Sequence, residues 1–158
     1  MKITIITSNK NRHNYFINEI SKVAKQLFVI QECRDLILSN PKNKSLNTKS
    51  IKYFKKVENA EKKILGINFC SPYCKKFKLL SLSFGDLNRR NLTEIKDLLT
   101  SDLYIIFGSS FIKGPLLNFL VKKKAINIHM GISPFYRGAD CNYWAMKDKN
   151  FHLVGSTI

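Results

Sequence analysis

Apolar residues in this chain switch repeatedly between short continuous runs and stripes at helical spacing, so strands and helices are expected to take turns. Lys2 to Thr7 is a β-branched apolar run closed by Ser8-Asn9-Lys10-Asn11, which has the length and polar boundary of a buried parallel strand. Phe16, Ile20, Val23, Ala24 and Leu27 follow at helical spacing and predict one apolar stripe, with Lys22, Lys25 and Gln26 turned to water. Leu27 to Gln31 reads as a second strand. Glu32 to Lys49 is rich in Asn, Ser and Lys around Pro41 and predicts an exposed connection or a partly formed helix. Ile51, Phe54, Val57, Ile64 and Leu65 restore the helical spacing, and Pro72 ends that neighbourhood. Lys78 to Phe84 alternates enough for a short strand. Gly85-Asp86-Leu87-Asn88 is then a turn signal ahead of a helix carrying Leu92, Ile95, Leu98 and Leu99.

The clearest strand is Leu103 to Phe107, a continuous apolar run of the kind buried on both faces of a parallel sheet, closed by Gly108. Pro115 suits the first turn of a helix that runs through Leu116, Leu117, Leu120 and Val121. Its end is Lys122-Lys123-Lys124, cations placed at the negative end of the helix. Ala125 to His129 is the following strand. No repeat or linker interrupts this alternation, so the expected fold class is α/β: an open, mostly parallel Rossmann-like sheet with helices on both faces, in one domain over residues 1–158. Ligands of such sheets bind outside the carboxyl ends of the strands, which points to the residues just after Thr7, Phe107 and His129.

Composition narrows the class without naming a partner. Apolar residues are 44% of 158 and no run approaches the ~20 needed to cross a bilayer, so a cytoplasmic protein with no membrane partner is expected. Cys33, Cys70, Cys74 and Cys141 form no Cys-x-x-Cys pair and no His stands beside Cys70 and Cys74, which predicts reduced, mostly buried thiols and no metal site. Lys and Arg number 27 against 11 Asp and Glu, a net charge of +16 that attracts anions generally. The Lys residues are scattered without interleaved aromatics, unlike a dedicated nucleic-acid surface.

Asn127 and His129, two apart at the end of an apolar strand, point to one face. Burying both there is costly unless they do chemistry or satisfy the adjacent loop. Gly131, Pro134 and Gly138 bracket Phe135-Tyr136-Arg137 and imply a backbone held to one path. An amide and an imidazole on a rigid strand suit an oxyanion, at about 3 to 4 kcal/mol per donor, and an imidazole also moves protons near neutrality.

The stretch Asn127-Ile128-His129-Met130-Gly131-Ile132-Ser133-Pro134-Phe135-Tyr136-Arg137-Gly138 closely resembles the signature of the formyltransferase family. That family includes glycinamide ribonucleotide, methionyl-tRNA and sugar N-formyltransferases. The resemblance runs from Ser101 to Gly108 upstream and to Gly155-Ser156-Thr157-Ile158 downstream; the rest matches only in pattern. It implies transfer of a formyl group from 10-formyltetrahydrofolate, without a metal, to an acceptor amine, with Asn127 and His129 catalytic.

Gly108, Ser109, Ser110, Phe111 and Ile112 match the loop that binds the folate donor, with Phe111 or Ile112 as an apolar wall or, alternatively, as core at a helix start. Tyr136, Arg137 and Gly138 match the loop beside the acceptor, where Arg137 meets a phosphate or carboxylate or else pins the loop. Arg12 and His13 resemble a pair in family members that are not purine enzymes and would bind the acceptor, unless they form an ordinary exposed loop. His152 is expected to be structural.

The family also uses an Asp several residues beyond Ile158, so the domain is expected to be incomplete at its C-terminus; Asp140 and Asp148 lie too early to replace that Asp. The acceptor implied is a small anionic amine, foremost a nucleotide-linked amino sugar. A methionyl-tRNA formyltransferase-like enzyme with tRNA as partner, and a non-catalytic remnant, are the alternatives; a homodimer is possible.

Overall fold

The computed structural model describes residues 1–34 and 48–158, so most of the connection expected over Glu32 to Lys49 lies outside the described residues. The elements are β1 (Lys2–Ser8), α1 (Asn11–Val23), β2 (Gln26–Cys33), α2 (Thr48–Leu65), β3 (Lys76–Ser83), β4 (Leu103–Phe107), α3 (Gly114–Lys122), β5 (Ile126–Ile128) and α4 (Cys141–Lys147). The five strands form one sheet in the order β3-β2-β1-β4-β5. Every pairing is parallel, with Ile3 opposite both Leu27 and Leu103.

Strand alternation divides the core in two. Ile3, Ile5, Leu27, Val29 and Ile105 face α1, where Ile17 and Ala24 are buried against them. Ile6, Phe28, Ile30 and Tyr104 face the other side and pack on Leu116 and Leu120 of α3 and on Leu87, Ile95, Leu98 and Leu99. Each such side chain contributes roughly 1.5–3 kcal/mol on leaving water.

Two expected helices differ. The stripe read through Val23 and Leu27 breaks because α1 stops at Val23, which is exposed, and Leu27 is already inside β2; the buried line on α1 is His13, Ile17 and Ser21. Its polar face is consumed by the segment after α2. Asn11 donates to Gly66 O and accepts from Asn68 N, Asn14 donates to Asn68 O, and Asn18 donates to Phe69 O and accepts from Ser71 N.

The helix expected around Leu92 to Leu99 is replaced by short 3-10 turns at Asp86–Arg89 and Lys96–Leu98. Buried strand hydroxyls hold this irregular backbone. Thr4 donates to Leu98 O at 2.6 Å and Tyr104 to Leu99 O at 2.7 Å. These bonds satisfy carbonyls that a regular helix would have used internally.

The thiols are free, but only Cys141 is buried; Cys33, Cys70 and Cys74 are half-buried. Among the described residues no helix is long and apolar enough to cross a membrane, and no three His, Cys, Asp or Glu side chains are placed to share a metal ion.

Candidate active site

At the carboxyl end of β5, Asn127 is exposed and His129 half-buried. Asn127 therefore carries no burial cost, contrary to the expectation, because β5 is an edge strand of only three residues. Past β5 the backbone of His129 exchanges two 2.9 Å hydrogen bonds with Thr157, an antiparallel bridge that fixes the imidazole's root. The ring's Nε2 lies 3.1 Å from Tyr136 O and 3.6 Å from Cys141 Sγ. No Asp or Glu carboxylate bonds to His129 among the described residues.

Tyr136, expected at the acceptor, staples its own loop. Its hydroxyl donates to Asp148 at 3.0 Å and accepts from Asn150 at 2.9 Å, and its amide donates to Ile132 O. Asp148 is thereby engaged away from His129. Arg137 is exposed beside Gly138, whose φ of 97° turns the chain into Asp140 and α4. His152 lies exposed in a 3-10 turn, Phe151–Leu153.

The loop after β4 is held by a residue that sequence reasoning missed. Glu32, fully buried at the end of β2, accepts from Gly85 N at 2.9 Å, Ser110 N at 2.6 Å and Ser110 Oγ at 2.8 Å. The available signal was an acid ending an apolar strand. Asn88 clamps the same loop from outside, donating to Phe111 O and accepting from Lys113 N. Ser110 thus serves the loop, and Ile112 is core, as the alternative reading had it. Ser109 donates to Ser110 O, while the Phe111 ring is 86% exposed and free to wall a ligand. A cavity of about 500 Å³ opens there, lined by Gly85, Asn88, Arg89, Ser110, Phe111 and Lys113.

Past β1, Arg12 and His13 separate. Neither is in an exposed loop: both belong to the first turn of α1. His13 is 2% exposed, packs edge-on against Phe107 at 4.8 Å, and among the described residues has no partner for either ring nitrogen. It is therefore a core residue and not an acceptor ligand. Burial first, then the charge of Arg12, Lys10 and Arg34, lowers its pKa to about 3.

Gly108 is what lets it fit, since a Cβ there would stand 2.3 Å from His13 Nε2, at a φ of 71°. Arg12 pairs with Glu61 of α2. Lys10, Arg12 and Arg34 are close enough for mutual repulsion, which with desolvation as the larger cause holds Lys10 and Arg34 below their ordinary values. Glu61 and, less strongly, Asp140 pull Lys10 the other way.

A parallel sheet that reverses order between β1 and β4, with polar residues past β1, β4 and β5, defines a doubly wound α/β fold with one ligand edge. Solved formyltransferases have this fold. The chain matches crystal structures of glycinamide ribonucleotide transformylase 1 from Geobacillus kaustophilus (14% identity, 93% of this chain and 67% of that one, TM-score 0.52) and from Symbiobacterium toebii (12%, 94% and 60%, 0.50). Phosphoribosylglycinamide formyltransferase from Anaplasma phagocytophilum aligns at 14% identity over 94% of this chain and 58% of that one, TM-score 0.49. The chain spans about three-fifths of the length of the solved structures it matches. At such identities the likeness establishes a formyltransferase-type fold. No protein-family model matches the chain, and no curated protein does.

Proposed function

We propose that this chain belongs to a formyltransferase that moves a formyl group from 10-formyltetrahydrofolate to the amine of a small anionic acceptor, foremost a nucleotide-linked amino sugar. The observation that carries the reading is the pairing of an exposed Asn127 amide with a His129 imidazole anchored at the carboxyl end of β5. The amine attacks the formyl carbon, a C–N bond forms, and the bond from that carbon to folate N10 breaks. One amine proton leaves and N10 gains one. Asn127 and His129 suit the negative charge that the formyl oxygen holds in between, and His129 suits the proton transfer.

The remaining edge fits both ligands in kind. Phe111 offers an exposed ring to the pteridine of the donor, on a loop that Glu32 and Asn88 keep in one shape. Lys10, Arg12 and Arg34 gather positive charge past β1, partly offset by Glu61, which supports an acceptor carrying phosphate.

The test is incubation with 10-formyltetrahydrofolate and each of three acceptors: an amino-sugar nucleotide, glycinamide ribonucleotide and methionyl-tRNA. The expected product is the formylated amino-sugar nucleotide by mass spectrometry. Formylation of either other acceptor alone would replace the acceptor assignment, and His129→Ala with unchanged turnover would remove His129 from the chemistry.

A further inference from the structure

Among the described residues the imidazole of His129 is bonded on one side only, and that side decides which nitrogen is left to react. Nε2 stands 3.1 Å from the carbonyl oxygen of Tyr136. A carbonyl oxygen has lone pairs and no hydrogen, so a bare Nε2 facing it would be repelled; the nitrogen there must carry the proton. Cys141 Sγ closes the same side, 3.6 Å from Nε2 and 3.4 Å from Gly138 O. With Nε2–H directed to Tyr136, the single S–H of Cys141 is free to donate to Gly138, and every hydrogen has one acceptor. Burial raises the Cys141 pKa, so the thiol keeps its hydrogen at neutral pH.

Gly131 makes the arrangement possible. A Cβ at that position would stand 2.5 Å from Cys141 Cβ and 2.9 Å from Tyr136 O, so any side chain there would push both groups off the ring.

We propose that His129 acts through Nδ1, with the Tyr136 carbonyl fixing the tautomer and Cys141 as a positioning residue that shuts Nε2 away from water. Nδ1 is then the atom that accepts the amine proton when neutral and donates to the developing oxyanion when protonated. What Nδ1 does rests on the formyl-transfer reading; the tautomer is a property of the chain at rest.

The experiment is a long-range proton–nitrogen correlation spectrum of the chain labelled at its histidine nitrogens. It is recorded on the alkaline side of neutrality without donor or acceptor, and His129 is identified by the signals lost in His129→Gln. The expected result is an Nε2–H tautomer. Cys141→Ala should speed exchange of that hydrogen with water by about tenfold or more, as local opening of a closed side does, and Cys141→Ser should restore slow exchange. An Nδ1–H tautomer overturns the assignment, and exchange unchanged in Cys141→Ala removes Cys141 from it. Since no substrate is present, absence of formyl transfer would refute the function without altering this spectrum.

Discussion

His13 and His129 both follow strands of one parallel sheet, at the edge where such folds bind ligands, yet their surroundings are opposite. His13 is sealed under Gly108 and Phe107, has no hydrogen-bond partner among the described residues, and has its pKa lowered by burial to about 3. His129 is half-buried, tied by one nitrogen to Tyr136 O, and follows the exposed Asn127 by two residues. Position at the sheet edge nominated both; burial and partners separate them. Each has a glycine pressed against its surroundings, Gly108 at His13 and Gly131 at Cys141, so both contacts are built into the backbone.

The contrast can be broken at four points. Asn127→Ala should cut kcat about 10²–10³-fold with little change in unfolding midpoint, as loss of an oxyanion donor does; unchanged kcat would strip the β5 edge of its chemistry. Glu32→Ala should lose about 3 kcal/mol of stability in urea titration, since Ser110 N and Ser110 Oγ are left buried, and Gly85 N half-buried, without an acceptor. A loss near zero would mean the β4 loop holds itself. Gly108→Ala should cost roughly 2–3 kcal/mol, from the clash with His13 and from the positive φ, and less in a His13→Ala background.

The smallest effect is in pH. The folded pKa of His13 is lowered to about 3 from 6.5, so the unfolded chain binds the extra proton between those values and stability falls as pH drops below 6.5. Between neutral pH and about pH 5 the loss attributable to His13 is about 2 kcal/mol. His13→Phe, measured by thermal melting at both pH values, should flatten that slope.

The strands were legible because buried parallel strands announce themselves as apolar runs; Leu103–Phe107 appears with the same bounds as read. Spacing put Asn127 and His129 at the end of one strand, where they are found, while the role proposed for them came from the family resemblance of the stretch they open. What escaped was polar and nonlocal. Asn11, Asn14 and Asn18 form a ladder to residues 66–71 that no local pattern announces, and Glu32 looked like the start of a loop but holds two others. The helix expected from Leu92 to Leu99 failed because its apolar positions are satisfied by compact turns bonded to Thr4 and Tyr104. Tyr136 drew attention for its side chain, whereas its carbonyl is the group that touches His129.

The most direct measurement follows an isotopically labelled formyl carbon from 10-formyltetrahydrofolate into an acceptor amine, with His129→Ala and His13→Phe assayed side by side. The account predicts that His13→Phe still transfers the label and that His129→Ala does not. Label transfer retained by His129→Ala and lost in a folded His13→Phe would contradict it.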